Sequence, residues 1–198
     1  MMRRTLIIGA AAAATIAASC GEAIDQNAFS GPPVEVVSLD DNHTALKEAF
    51  NAASSNVRLV FVVGPSCGPC LRGLIDMDKE MGSKLLSDPR LSVFVVHVPT
   101  LSAELKHAQR AARLLTGSSV QNFWDESGNT GWALKDTLGL EEYAWDVWLT
   151  YSQGQQWTDA GPPKPDAWSH QLGDISIAPF LDPKAFASDV RTRVEKIG

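Results

Sequence analysis

Two runs of β-branched and aromatic residues constrain the fold more than any other feature of the sequence. Residues 57–63 (VRLVFVV) and residues 91–98 (LSVFVVHV) are almost wholly apolar. Strands that are covered by helices on both faces have this composition, whereas strands with one solvent face alternate apolar and polar residues. Residues 67–86, which lie between them, carry apolar residues at helical spacing. The sequence therefore predicts an α/β domain whose early strands are parallel.

The alternation of strands and helices continues along the chain. We predict further strands at residues 34–39, 120–124 and 144–151, and further helices at residues 45–53, 102–115 and 130–138. Ser102 is expected to cap the helix that follows it, and Gly139 to end the helix before it. No internal repeat interrupts this order.

The C-terminal third is expected to contain a hairpin, a loop and one last helix. Residues 152–154 indicate a turn after the strand at 144–151, and residues 155–157 the start of its hairpin partner. Residues 159–175 are rich in proline, glycine and polar side chains and predict a loop. We slightly favour a loop that packs over this hairpin; the alternative is a loop that covers the functional site or recognises a partner. Asp182 and Pro183 then predict the start of a helix.

The N-terminus indicates export. Residues 1–19 combine a basic start, an apolar stretch at residues 6–18 and small residues before a cleavage point, which is typical of a signal peptide. The apolar stretch is shorter than the ~20 residues that a membrane-spanning helix needs. The ending around Cys20 resembles a bacterial lipobox, except that Ala17 stands where leucine is usual. The resemblance implies lipidation of Cys20; the alternative is ordinary cleavage near Ala18, which leaves Cys20 as a stray thiol.

Location and partners are predicted from the same segment and from composition. Residues 20–33 are expected to be a lipid-anchored linker and residues 34–198 the folded domain. Gly21 replaces the aspartate that usually marks inner-membrane retention, so the periplasmic side of the outer membrane is slightly favoured. The chain has a net charge of −6 and no cluster of basic and aromatic residues, which argues against a nucleic-acid partner.

Two cysteines stand where the chain turns from the first buried strand into a helix. Cys67 and Cys70 enclose Gly68 and Pro69. Two intervening residues on a first helical turn bring the sulfurs within bonding distance. The helix N-terminus, with its unpaired N–H groups and dipole, favours the thiolate of the first cysteine. The second cysteine is placed to resolve a mixed disulfide.

A structural disulfide and half of a zinc site are the alternative interpretations of the pair. A loop this short stabilises by only ~1.9 kcal/mol in the chain-entropy estimate, so a disulfide chosen for stability would close a longer loop. A zinc site needs two more ligands, while the predicted domain has no further cysteine and its histidines are scattered. We therefore expect redox chemistry, with no metal and no organic cofactor.

The strand, the C-G-P-C segment and the following helix resemble the active-site segment of thioredoxins. The resemblance implies that Cys67 attacks a substrate disulfide and that Cys70 releases the product. Residues 120–154 are similar to the insertion in peroxiredoxin-like and cytochrome-maturation thioredoxins. The expected fold is a thioredoxin-like α/β/α sandwich with a central mixed sheet and an inserted α-β-α segment.

Two positions depart from the thioredoxin pattern. Phe61 stands where thioredoxins carry a buried aspartate, six residues before the first cysteine. Asp146 stands where they carry a cis-proline at the start of the penultimate strand. We therefore consider Asp146 a candidate acid or base beside the cysteines; the alternative is a solvated or a strand-end carboxylate.

The leading functional prediction is an envelope thiol–disulfide oxidoreductase that acts on protein disulfides and draws electrons from a membrane donor. A thiol peroxidase is an alternative. Thiol peroxidases activate peroxide with a Pro-x-x-x-Thr-x-x-Cys motif, and here Val63 and Cys67 stand where that motif has proline and threonine. A copper or other soft-metal chaperone is a second alternative, in which His97 or His170 would join the two thiolates. Both histidines are more simply interpreted as packed or exposed side chains.

Overall fold

A computed structural model describes residues 24–173 and 175–197. The predicted signal peptide, the lipidated Cys20 and the first part of the linker lie outside these residues, and those assignments stay predictions. The strands are β1 (Val36–Ser38), β2 (Val57–Val63), β3 (Leu91–His97), β4 (Val120–Trp124), β5 (Val147–Tyr151) and β6 (Ala167–His170). The helices are α1 (Thr44–Ala52), α2 (Gly68–Leu85), α3 (Leu105–Ala111), α4 (Asn129–Leu138) and α5 (Pro183–Glu195), with short 3-10 turns at Gln26–Phe29, Thr100–Ser102 and Ala112–Leu114.

The six strands form one mixed sheet in the order β1-β4-β3-β2-β5-β6. The first four strands in this order run parallel to one another, while β5 is antiparallel to both β2 and β6. Because β5 runs against β2, the first residue of β5, Val147, pairs with Val62 near the end of β2. The start of β5 therefore lies beside the turn that carries the cysteines.

Helices cover both faces of the sheet, which confirms the predicted α/β/α sandwich. Alternate residues of β2 face opposite layers: Leu59 and Phe61 pack with α2 and α5, whereas Val60 and Val62 pack with α1 and α4. Every residue of β2 and β3 is buried, as the unbroken apolar runs indicated. The segment between β3 and β5 contains α3, β4 and α4 in the predicted order, and its likeness to a peroxiredoxin insertion stays a prediction.

The predicted helix at residues 102–115 is wrong in its first turn. Leu101 and Ser102 both have positive φ angles, 55° and 57°, so Ser102 does not cap a helix. The helix instead begins after Glu104, in a capping box in which the Glu104 backbone N–H donates to His107 Nδ1 at 2.9 Å. It tightens into a 3-10 turn at Ala112–Leu114.

The predicted hairpin partner is also wrong. The backbone of Trp157 bonds the side chain of Asn51 in both directions, at 2.8 and 2.9 Å, and its indole is buried against Phe50. Residues 155–157 are therefore held by α1 and do not pair with β5. The partner of β5 is β6, which lies inside the segment predicted as loop. The strand at 144–151 begins only at Val147, because Asp146 has a φ of 52°.

Other boundaries agree closely with the predictions. The helices at 45–53 and 130–138 each begin one residue earlier, α4 ends at Gly139 in a left-handed conformation, and β1 shortens to three residues. Asp182 caps α5 by accepting the Ala185 N–H at 3.0 Å. Among the described residues, no helix is both long and apolar enough to cross a membrane.

Candidate active site at the N-terminus of α2

Cys67 is the N-cap of α2, and Cys70 lies in its first turn. The Cys67 N–H donates to the Gly64 carbonyl at 2.9 Å, which fixes the turn after β2. The Cys70 N–H donates to Cys67 Sγ at 3.4 Å, so the sulfur takes the place of a capping oxygen. Both cysteines are free thiols and both are buried, with 5 % of Cys67 and none of Cys70 exposed. Gly68 and Pro69 are exposed.

The two thiols differ in acidity. Hydrogen bonds from the side chain and backbone N–H of Cys70 lower the pKa of Cys67, against the opposing effects of burial and of the Asp146 charge. Burial raises the pKa of Cys70 strongly, and the hydrogen bond to Cys67 and the charge of Asp146 act in the same direction. This asymmetry suits Cys67 to be the nucleophile and Cys70 to stay protonated until a base takes its proton.

Asp146 lies beside both cysteines. One carboxylate oxygen and the two Sγ atoms all lie within 4.8 Å of one another, and only 2 % of Asp146 is exposed. Trp148 Nε1 donates to Oδ1 of Asp146 at 3.2 Å. Burial raises the pKa of this carboxyl group, and the hydrogen bonds from Trp148 and Cys70 oppose that effect. The position of Asp146 is compatible with the predicted acid–base role and not with a solvated side chain.

Gln171 is a site residue that the sequence analysis missed. With its amide oriented to match its neighbours, its nitrogen donates to Asp146 Oδ1 at 3.1 Å and to the Pro69 carbonyl at 3.3 Å. Its backbone N–H also donates to the Asp146 carbonyl, at 3.1 Å. Gln171 therefore links the C-G-P-C turn to the carboxylate. No sequence signal marks it, because the strand that positions it, β6, lies in the segment predicted as loop.

An aromatic layer supports the carboxylate. Trp148 packs on Phe61 with ring centroids 4.7 Å apart. Phe61, which stands where thioredoxins carry a buried aspartate, therefore contributes apolar packing and no charge. Gly73 of α2 lies directly against this layer: a Cβ there would come within 2.5 Å of the Trp148 ring and of the Gln171 amide. Only glycine allows α2 to approach this closely.

Trp145 lies near the cysteine turn and also lines an open cleft. A Cβ on Gly64 would lie 3.3 Å from both Cys67 Cβ and the Trp145 ring, so these groups are neighbours. Trp145 also lines a cleft of about 510 Å³, whose other lining residues include the apolar Tyr143 and Ile177 and the acidic Glu141 and Glu142.

The structure does not bring His97 or His170 into this cluster. His97 is fully buried, and its Nε2 lies 3.0 Å from Asn122 Oδ1. The ring nitrogens of His170 each lie 3.1 Å from a backbone carbonyl, those of Leu172 and Ala178. The part of the chain that the structure describes contains one group of side chains suited to a metal ion, namely Cys67, Cys70 and Asp146.

Comparisons with known proteins found likeness in structure only. No protein-family model matches the sequence, and no curated protein matches it. A thioredoxin-like protein from Bacteroides caccae aligns at 14 % identity with a TM-score of 0.41, over 70 % of this chain and 41 % of that one. A thioredoxin-like protein solved in solution in its oxidized form aligns at 16 % identity with a TM-score of 0.41, over 72 % and 80 % of the two chains.

The fold assignment rests on this chain's own geometry. Parallel strands β2 and β3 lie at the centre, antiparallel β5 and β6 follow on one side, and helices cover both faces. The cysteine pair begins the helix after the central strand β2. With this topology and this placement of the cysteines, the chain has a thioredoxin-like fold.

Proposed function

We propose that this protein is a thiol–disulfide oxidoreductase that reduces or exchanges disulfides of other proteins. The observation that carries the proposal is the asymmetric dithiol: Cys67 caps α2 and accepts the Cys70 N–H, while Cys70 is completely buried behind it. A disulfide whose purpose is stability has no need of one activated and one suppressed thiol.

The proposed reaction has two exchange steps. The Cys67 thiolate attacks one sulfur of the substrate disulfide, forms a mixed disulfide and releases the other substrate sulfur as a thiolate. Cys70 then loses its proton and attacks Cys67 Sγ. The Cys67–substrate bond breaks, the second substrate thiolate leaves, and a Cys67–Cys70 disulfide remains. The substrate gains the two electrons that the cysteine pair loses, and each released thiolate takes up a proton.

Asp146 is the base that we propose for the second step. Its carboxylate neighbours Cys70, and burial raises its pKa, so it binds a proton more readily than an exposed aspartate does. Gln171 and Trp148 donate to the same oxygen and hold the carboxylate in this position. Gln171 is thus a positioning residue, because its polar contacts here are with Asp146 and the Pro69 carbonyl.

Location and electron supply are further parts of the proposal. The N-terminal sequence supports export and lipidation at Cys20, with the domain on the periplasmic side and the outer membrane slightly favoured. A reductase there would receive its electrons from a membrane donor. The cleft that Trp145 lines supports a protein substrate, since an extended segment could lie in it and Trp145 also neighbours the turn that carries Cys67.

The thiol peroxidase alternative gains no support from the site. Val63, at the place of that motif's proline, is a buried apolar residue at the end of β2. Cys67 occupies the place of the threonine and is itself the activated thiol.

The test of the proposal is disulfide reduction by the purified domain with dithiothreitol as electron source. We expect the wild type to accelerate insulin reduction, Cys67→Ser to abolish the acceleration, and Cys70→Ser to accumulate a mixed disulfide through Cys67. The reduction potential of the pair then indicates direction: a value near −270 mV supports a reductase, and one near −120 mV an oxidant of folding proteins. Equal rates for wild type and Cys67→Ser would refute the proposal.

The role of Asp146 has its own test, with Asp159→Asn as a control because that aspartate is an exposed partner of Lys47. In Asp146→Asn we expect the pKa of Cys67 to fall, because the Asp146 charge raises it, and the mixed disulfide to resolve about 10²-fold more slowly, because the base is lost. Alkylation rates against pH measure the pKa, and quenched single-turnover reactions measure resolution. A Cys67 pKa that stays unchanged would contradict the assignment.

A further inference from the structure

The cysteine pair and Asp146 place three potentially anionic donor atoms in one buried cluster. Each residue offers one atom, two sulfurs and one oxygen, and these atoms lie within 4.8 Å of one another. Exposure of the three residues is 5 %, 0 % and 2 % for Cys67, Cys70 and Asp146. When all three are deprotonated, three like charges repel in a site with little water, and a cation at their centre would relieve the repulsion.

Local sequence offers only two ligands for a zinc ion, fewer than the ion needs. Cys67 and Cys70 supply two, and Asp146 supplies a third that only the fold brings near. Three protein ligands and one open position form a common arrangement for zinc, with the fourth position taken by water or another small ligand. Cys67 is 5 % exposed and the adjoining Gly68 and Pro69 are exposed, so the turn that carries the cysteines lies at the protein surface.

The distances require only a small adjustment. Zinc binds thiolate sulfur at about 2.3 Å and carboxylate oxygen at about 2.0–2.2 Å. Two sulfurs on one tetrahedral zinc are then about 3.8 Å apart, so donor atoms at most 4.8 Å apart need to approach by about 1 Å or less. Rotation of the Cys67 side chain at the helix terminus can supply that approach.

The groups around Asp146 suit a ligand carboxylate. Trp148 Nε1 and Gln171 Nε2 both bond Oδ1, at 3.2 and 3.1 Å, which orients the carboxylate and leaves Oδ2 free of these two bonds. Hydrogen bonds from a second layer of residues commonly orient metal ligands and add to affinity. His97 and His170 each bond elsewhere, so the site would contain two sulfurs and one oxygen.

We propose that the reduced protein binds one thiophilic divalent cation of the zinc and cadmium class through Cys67 Sγ, Cys70 Sγ and the carboxylate of Asp146. Binding replaces the thiol protons and involves no electron transfer. The metal-bound form is unavailable for disulfide exchange, because both sulfurs are occupied. The inference goes beyond the proposed oxidoreductase activity, since the same three atoms could bind metal whether or not the pair exchanges disulfides in the cell.

The experiment is a cadmium titration of the reduced full-length chain, carrying Cys20→Ser so that two thiols remain, followed by the ultraviolet thiolate-to-cadmium absorption band. Zinc affinity follows from competition with a chromophoric zinc indicator. We expect one cadmium per protein, no binding by the disulfide form, and binding at least about tenfold weaker in Asp146→Asn. Asp159→Asn, an exposed aspartate, should bind like the parent protein.

Absence of cadmium binding by the reduced parent protein would overturn the inference, and so would either of two other results. Equal affinity in the parent and Asp146→Asn would show that the cysteines bind alone, and one cadmium per two proteins would show a site between chains. Thermal unfolding of each apoprotein verifies that Asp146→Asn is folded, and Asp146→His, which restores a zinc ligand, should regain affinity. Insulin reduction by the parent protein keeps the two proposals separate, because a parent protein that reduces insulin but binds no cadmium refutes only the metal site.

Discussion

His97 makes the stability of this protein depend on pH between about 4 and 6.5. Its imidazole is fully buried at the end of β3, and burial lowers its pKa to about 4, with the hydrogen bond to Asn122 acting in the opposite direction. In the unfolded chain a histidine has a pKa of about 6.5. As the pH falls through this window, the unfolded chain binds a proton that the folded protein does not, so stability falls with pH and is fully present only above about 6.5.

The size of the effect follows from the two pKa values. The two pKa values differ by about 2.5, and a difference of one pH unit corresponds to 1.36 kcal/mol. His97 therefore accounts for a loss of about 3 kcal/mol in the free energy of unfolding by pH 4. That is a large part of the 5–15 kcal/mol that typically holds a domain folded.

The assay compares urea unfolding of wild type and His97→Gln at several pH values from 7 to 4. Glutamine keeps an N–H that can donate to Asn122 and has no proton to gain, so the wild type should lose about 3 kcal/mol more than the variant across this range. Carboxylates titrate in both proteins and cancel in the difference. Parallel stability curves, or an NMR-measured His97 pKa above 6, would refute the reasoning.

Three further predictions concern packing and capping, and equilibrium unfolding checks each. Phe50→Ala should lower the free energy of unfolding by about 3–5 kcal/mol, because the ring is fully buried in the α1 and α4 layer. A decrease under 1 kcal/mol would contradict this packing. Asp182→Ala should lose about 1 kcal/mol with the α5 cap, while Asp182→Asn should retain most of it. Gly73→Ala should lose about 1–3 kcal/mol, because its Cβ meets the Trp148 ring, and should slow resolution of the mixed disulfide; unchanged values of both would show that α2 shifts freely.

Local sequence determined the elements with strong composition or capping signals. Strand β2 begins and ends at the predicted residues, since a run such as VRLVFVV is too apolar and β-branched for an exposed element. Strand β4 also has its predicted bounds, although its sequence is more polar. Asp182 and Pro183 predicted the start of α5, because a cap and a fixed φ act within one turn. The cysteine pair at the start of α2 belongs to the same group, since spacing and the preceding strand define its position.

Long-range pairing decided the rest. The sequence AWSH has no strong strand signal, and it becomes β6 because the free edge of β5 supplies hydrogen-bond partners. Residues 155–157 resemble a strand in sequence but bind to α1. The Trp157 ring is buried against Phe50 and its backbone N–H donates to Asn51, and these contacts replace pairing with β5.

The surroundings of the cysteines show the same division. Asp146 and Gln171 follow Cys67 by 79 and 104 positions in the sequence, so no local pattern connects them. Asp146 reaches the cysteines because β5 runs antiparallel to β2, with Val147 opposite Val62. Gln171 reaches Asp146 because His170 of β6 lies opposite Val147. The sequence by itself determined the dithiol, while the register of three strands decided which carboxylate and which amide lie beside it, because hydrogen-bonded pairing brings together residues that are distant in the chain.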